Sequence, residues 1–337
     1  MATSKRPFGL RGIAVAGALV LGLAACGSSD DGDGSGESTG SASAEVVTVG
    51  FVAVGPEGNW RAANEKNIQD TFTPEAGFDL KYAPAANLDQ KSQIDAFTSF
   101  VDEEVDVILL SATEATGWED SLKRAQEAEI PVLLIDRGIE PNDPSLYVTR
   151  IAPDNVVVAE NVGKWAVETL PDGGNYFILE GPAGVGVVNE RNTGWDNVVG
   201  AVPTLKKVGA QTANWSTEEA KSVFETVLKA NNNDIQLVFA QNDEMGLGAV
   251  AAAKEAGLTP GVDVKIATID GTKPALEALS ASELSFVAEY NPLFGETAMT
   301  AVKAALAGEK VEPYIIVPSA VFDSPEAAKT ALPDRQY

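Results

Sequence analysis

Histidine is absent from this sequence of 337 residues, and cysteine occurs once. The first absence excludes a Ser-His-Asp triad, a Cys-His pair and any imidazole metal ligand. The second excludes an internal disulfide and a thiolate zinc cluster. Positive charge is also scarce: 24 Lys and Arg stand against 49 Asp and Glu, a formal charge of -25. That balance opposes a nucleic-acid surface, which needs clustered cations to neutralise phosphates. It favours a soluble, self-repelling particle. The rest of the composition is ordinary: 45% of the residues are apolar, as in a globular protein, and the length suffices for two domains.

Lys5, Arg6 and Arg11 flank the start of an uncharged apolar stretch, 12–25, about as long as a signal-peptide core and short for a membrane span. Leu23-Ala24-Ala25-Cys26 closes it, similar to the lipobox of bacterial lipoproteins. The reading is a lipoprotein signal peptide over 1–25, with Cys26 lipidated and anchoring the protein to the outer face of the cell membrane. The single cysteine thus stands where acylation would consume it. Residues 27–45 hold no aromatic, branched aliphatic or basic residue. Such a segment cannot bury enough surface to offset its ordering entropy. Residues 26–45 therefore read as a disordered, acidic Gly/Ser linker.

From residue 46 onward strand and helix alternate. The β-branched run 46–54 (VVTVGFVAV) reads as a buried strand, and 60–72 has helical spacing. Strands at 78–83, 105–110, 131–135 and 146–151 enclose helices at 89–103 and 118–128. The alternation restarts with helices at 155–170, 187–199, 217–230, 245–256, 274–279 and 294–307. Strands at 175–179, 206–211, 236–240, 264–269, 284–289 and 314–317 separate them. This order predicts an α/β protein with parallel sheets flanked by helices. Two Rossmann-like lobes with a break near 149–153 suit the length; a single (β/α)₈ barrel competes. In either fold the loops after strand C-termini carry the chemistry.

Those loops hold polar groups of mixed kind. Gly55-Pro56-Glu57-Gly58-Asn59-Trp60-Arg61 follows the first strand, and Asp136-Arg137 follows 131–135. Gln241-Asn242-Asp243-Glu244 follows 236–240, Asp270-Gly271 follows 264–269, and Arg191 lies beyond the loop GPAGVG. Carboxylates that accept, guanidiniums that donate, an amide that does both and an indole face suit a polyhydroxylated ligand. A ligand of fixed charge would need a one-sided set.

The pieces GPEGNWRAAN, ATGWE, AEIPVLLIDR, IAPDN, NERNTGW, AQNDEMGLGA, KEAGLTPG, TIDG and YNPLFG together carry a resemblance over residues 46–325. The chain resembles the type I periplasmic binding proteins of sugar ABC transporters, and among them the galactofuranose-binding branch. The resemblance implies two lobes joined by a three-segment hinge, 46–149 plus 291–317 and 150–290 plus 318–337, with a sugar in the cleft. It implies Glu57, Gly58, Asn59, Trp60, Arg61, Asp136, Arg137, Arg191, Asn242 and Asp270 as ligand-binding residues. The first loop departs from the family's pattern, which has serines around the Glu and a glycine before the Trp. Glu57, Trp60 and Arg61 are kept.

The expected function is capture of a monosaccharide, a galactofuranose-like aldose, and its delivery to the permease subunits of an ABC transporter by clamshell closure. The protein would be a monomer without cofactor, metal or nucleic-acid partner, and would meet the membrane only through its anchor. A sensory receptor of the same fold is the alternative; a carbohydrate-active enzyme is a weaker one. Arg137 and Arg191 beside the cleft acids are expected to lower carboxyl pKa values, which suits fixed acceptors such as Asp136 and Asp270 and not a general acid. With no histidine, binding is expected to be flat from pH 6 to 8. Arg191 is expected to make its contacts only when the cleft shuts. Duller readings exist for single residues: Trp60 as core, Asp136-Arg137 as a local ion pair, Asp270 as a helix cap. Trp118, Trp165 and Trp215 read as packing residues, and Asp243-Glu244 as a solvated helix start.

Overall fold

The computed structural model describes residues 46–337. The expected signal peptide, Cys26 and the linker lie outside the described residues. The chain begins with β1 (Val47–Ala53), α1 (Asn59–Thr71), β2 (Phe78–Pro84), α2 (Gln90–Asp102), β3 (Val107–Leu110), α3 (Glu119–Glu127), β4 (Val132–Ile135) and β5 (Thr149–Ala152). It continues with α4 (Asn155–Thr169), β6 (Gly174–Glu180), α5 (Gly186–Val199), β7 (Leu205–Thr212) and α6 (Thr217–Ala230). Then come β8 (Leu237–Ala240), α7 (Asp243–Glu255), β9 (Lys265–Asp270), α8 (Lys273–Ser280) and β10 (Phe286–Glu289). α9 (Gly295–Leu306), β11 (Tyr314–Ile316), β12 (Val321–Phe322) and α10 (Pro325–Ala331) complete it.

Two separate six-stranded sheets result, ordered β11-β5-β4-β3-β1-β2 and β12-β10-β9-β8-β6-β7. The first is parallel throughout; in the second only β12 runs antiparallel, beside β10. Two sheets exclude the single barrel. The α/β class and the two lobes stand as expected. Every residue of β3, β4 and β8 is buried, the reason these strands read as unbroken apolar runs.

In both sheets the order reverses beside the first strand of the lobe, at β1/β3 and at β6/β8. An open parallel sheet leaves a crevice at such a switch point, outside the strand C-termini. The chain passes between the sheets three times: after β5 through 153–154, after β10 through 290–294, and after β11 through 317–320. Residues 150–152 lie in the first sheet, since β5 pairs with β4 and β11. β12 and α10 had no counterpart in the pattern of the sequence. A two-residue strand and a seven-residue helix are too short to show a period, although Ser324 caps α10 and Pro325 opens it.

Candidate functional site

The first lobe brings its charges together at the ends of β1 and β4. Trp60 and Arg61 stand in the first turn of α1, and Asp136 follows β4 with φ 67°. That left-handed backbone is uncommon for a residue with a Cβ, and such strain gathers at functional sites. The Arg61 guanidinium pairs with the Asp136 carboxylate, and Arg137 pairs with Glu57 at 2.5 Å. The Tyr290 hydroxyl donates to Asp136 at 2.8 Å. Burial alone would raise both carboxyls. The two guanidiniums outweigh it and hold Glu57 and Asp136 below the ordinary carboxylate range.

The second lobe is built alike but charged differently. Asp270 ends β9 with φ 134°, and Arg191 reaches across from α5. Arg191 donates to Asn155 Oδ1 at 3.0 Å and to the Gln241 carbonyl, and lies 3.6 Å from Asp270. Both hydrogen-bond partners belong to its own lobe. Asn242 caps α7 through the Met245 N–H at 3.0 Å. Asp243 is not a solvated helix start. It is fully buried and accepts from the Thr272 N–H at 2.6 Å, the Thr272 hydroxyl at 2.8 Å and the Thr268 hydroxyl at 3.0 Å. Burial raises Asp243 to about 7, with Glu244 adding to the rise and the Thr272 hydrogen bonds opposing it. Asp270 is raised well above its usual value by burial, with Asp243 and Glu244 adding to it; Arg191 opposes without prevailing. For Asp270 the expected lowering is therefore reversed. Burial is the main cause, and the two acids beside Asp270 add to it against one guanidinium.

The two shells face each other across a cavity of about 50 Å³. Of the ten residues that the sequence pointed to, nine line it: Glu57, Gly58, Trp60, Arg61, Asp136, Arg137, Arg191, Asn242 and Asp270. Asn59 does not; it is exposed, and its backbone N–H donates to Glu244 across the lobes at 2.9 Å. Trp215, Tyr290, Glu244 and Val187 complete the lining and were missed. Trp215 sits in an irregular turn at φ 59° and Tyr290 in a crossing segment, where no period marks them. Trp215 packs on Gly181, where a Cβ would fall 2.1 Å from the indole.

Trp60 is both core and lining. It is buried, its Nε1 donates to the Tyr290 carbonyl, and its ring meets those of Tyr290 and Phe294 at 5.2 and 6.0 Å. Trp195 is core, stacked on Phe239. Three side chains that line the cavity carry a buried donor without a hydrogen-bond partner: Arg61 Nε, 3.6 Å from Glu57, Arg137 Nε, 3.9 Å from Asp136, and Trp215 Nε1. Buried donors without acceptors are rare in native proteins, so their presence at one cavity points to a ligand rich in oxygen. Among the described residues, no group of three or more acidic side chains has the arrangement of a metal site.

Two α/β lobes whose sheets are parallel but for β12, with polar side chains around a cavity between them, have the architecture of a solute-binding protein. The profile of the periplasmic binding protein domain matches residues 49–310, and the chain belongs to that family. That membership implies an extracytoplasmic location for this chain. The fructose import binding protein FruE of Bifidobacterium longum is 51% identical over 95% of both chains. The galactofuranose-binding protein YtfQ of Escherichia coli is 36% identical over 86% of this chain and 91% of its own. A crystal structure from Mycobacterium smegmatis in complex with β-D-fucofuranose superposes with a TM-score of 0.82 at 38% identity, covering 86% of this chain and 95% of that one. The galactofuranose-binding protein is thus less similar to this chain than the fructose-binding one, which shifts the expected resemblance.

Proposed function

We propose that this protein captures one monosaccharide in its furanose form, fructose before galactofuranose, and hands it to the permease of an ABC importer. The observation that carries this reading is the set of unpartnered donors, Arg61 Nε, Arg137 Nε and Trp215 Nε1, beside the ionised acceptors Glu57 and Asp136. A sugar hydroxyl both donates and accepts, and so serves both kinds of group. The rings of Trp60, Trp215 and Tyr290 supply apolar faces for the sugar's C–H bonds. The cavity, about 50 Å³, exceeds the roughly 10–15 Å³ that one ordered water needs, and suits a small polar ligand. The identity to the fructose-binding relative puts fructose first, and the fucofuranose complex supports a five-membered ring.

Calorimetry of the protein against fructose, galactofuranose, arabinose, ribose and glucose tests the reading. Fructose should bind tightest and glucose not measurably. Tighter binding of glucose than of every furanose-forming sugar, or of no sugar at all, would overturn it. The same reading has Cys26 acylated, tethering a monomer to the membrane through the 26–45 linker. Cys26→Ala should release the protein from the membrane fraction or leave it unprocessed. Unchanged membrane association would remove the anchor from the proposal.

A further inference from the structure

α1, like α5, α8 and α9, begins without a side-chain cap from its N-cap residue, and it alone of these has its first N–H met by a carboxylate of the opposite lobe. α2, α4, α6 and α7 each receive an Asp, Ser or Asn side chain at the N-cap. The N-cap of α1 is Gly58, which has no side chain, and its first turn holds no acid. Free N–H groups and the positive end of the helix dipole at that point favour an acceptor of negative charge. The second lobe supplies one: Glu244 Oε1 accepts from the Asn59 N–H at 2.9 Å. Its other oxygen accepts from Asn242 Nδ2 at 2.8 Å, so the carboxylate is held from behind by the residue that caps α7. A Cβ at Gly58 would stand 2.9 Å from Glu244 Oε1, closer than real Cβ contacts come. A side chain at Gly58 would push the end of the Glu244 side chain aside.

We infer that Glu244 is a positioning residue for the sugar site: it caps α1 from the opposite lobe and latches the cleft. The first turn of α1 carries Trp60 and Arg61. The latch therefore fixes the height of those two side chains over the cavity at the same moment that it joins the lobes. It stabilises the closed state alone, because the lobes carry its two halves. A contact with differential affinity for one state shifts the equilibrium towards that state. The inference does not depend on which sugar fills the site.

Asn59→Pro isolates the contact. Proline is well tolerated at the first position of a helix, and the extended backbone of Gly58 suits a residue before proline. The substitution removes the one N–H that meets Glu244 and no side chain of the cavity lining. Asn59→Ala, which keeps the N–H, is the control. Cysteines on the outer faces of α2 and α6, labelled for single-molecule energy transfer, report lobe separation in sugar-free protein. Asn59→Pro and Glu244→Ala should both lower the closed population, by about three- to ten-fold in the closed/open ratio. Asn59→Ala should match wild type, and Glu244→Gln, which keeps an acceptor oxygen, should recover part of the loss. The double variant Asn59→Pro/Glu244→Ala should be no worse than either single one. Where sugar binds, the dissociation rate should rise by a similar factor. A normal lobe distribution in Asn59→Pro, or weakened binding in Glu244→Ala alone, would overturn the latch and leave Glu244 as a direct sugar contact.

Discussion

Asp136 and Asp270 occupy the same place in the two lobes. Each stands at the C-terminal end of a parallel strand, with positive φ and almost no exposure, and each lines the same cavity. Their protons behave in opposite ways. Asp136 is held ionised by Arg61 and Arg137; Asp270 shares its surroundings with Asp243 and Glu244 and has one guanidinium at 3.6 Å. The strand end sets where a carboxyl goes. The neighbouring helix N-terminus sets its charge: α1 brings an arginine to one lobe, and α7 brings two acids to the other. A repeated architecture thus carries two differently charged walls, through the residues that α1, α7 and the loop after β4 place beside each buried carboxyl.

The largest test of that asymmetry removes a guanidinium from each wall. Arg61→Met leaves Asp136 buried as an ion with only the Tyr290 hydroxyl and, at 3.9 Å, Arg137 Nε beside it, and should cost about 3–5 kcal/mol. Arg191→Met leaves Asp270 able to keep its proton. Its cost should come mainly from the unpaired Gln241 carbonyl and Asn155, about 1–3 kcal/mol. Urea denaturation of the sugar-free variants gives both numbers. Equal losses would erase the distinction between the walls.

A smaller effect should appear on titration. A carboxyl raised in the folded state holds its proton more tightly there than when unfolded. Its stabilisation is full below the ordinary carboxyl range near pH 4 and is lost as the pH rises to about 7 for Asp243, which titrates jointly with Asp270. The lowered pair, Glu57 and Asp136, works the other way: its stabilisation is full above that range and is lost as the pH falls through the folded-state values. Melting temperature should therefore decline from pH 5 to 7 in wild type, and Asp243→Asn should flatten that limb. Asp136→Asn should flatten the acid limb instead. An unchanged slope from pH 5 to 7 in Asp243→Asn would return the second wall to the ionised state expected from its arginine.

The fold and half of this contrast were legible in residue order. β3, β4 and β8 are buried on both faces, so their sequences are unbroken apolar runs and their ends are sharp. Asp136, Arg137, Asn242 and Asp270 could be placed at one edge because each follows such a run. The proton state of the second wall was not legible. Asp243 and Glu244 open a helix, where acids are ordinary, and only the packing of α7 against Thr268 and Thr272 buries Asp243. Trp215 and Tyr290 were missed because turn and hinge segments have no period. Their roles arise from contacts made across 34 residues, from Trp215 to Gly181, and across 230, from Tyr290 to Trp60.

The indoles give the smallest and sharpest test. Trp60 and Trp215 face the cavity from opposite lobes, and both are nearly buried. The N–H of Trp60 is satisfied by the Tyr290 carbonyl, whereas that of Trp215 has no partner in the protein. Trp60→Phe should therefore act on stability, leaving a buried carbonyl unpaired at about 1–3 kcal/mol, with affinity following as the aromatic cluster loosens. Trp215→Phe should leave stability within about 1 kcal/mol, since it keeps a ring beneath Arg191 and breaks no hydrogen bond. Its effect should fall on the sugar, about three- to ten-fold in Kd, the worth of one lost hydrogen bond to a hydroxyl. Calorimetry paired with thermal melting separates the two. If Trp215→Phe bound sugar as tightly as wild type, the Trp215 indole would be a lid over the ring and not a donor. The donors of the site would then be the two Nε atoms of the first lobe, and the first wall would orient the ligand without help from the second.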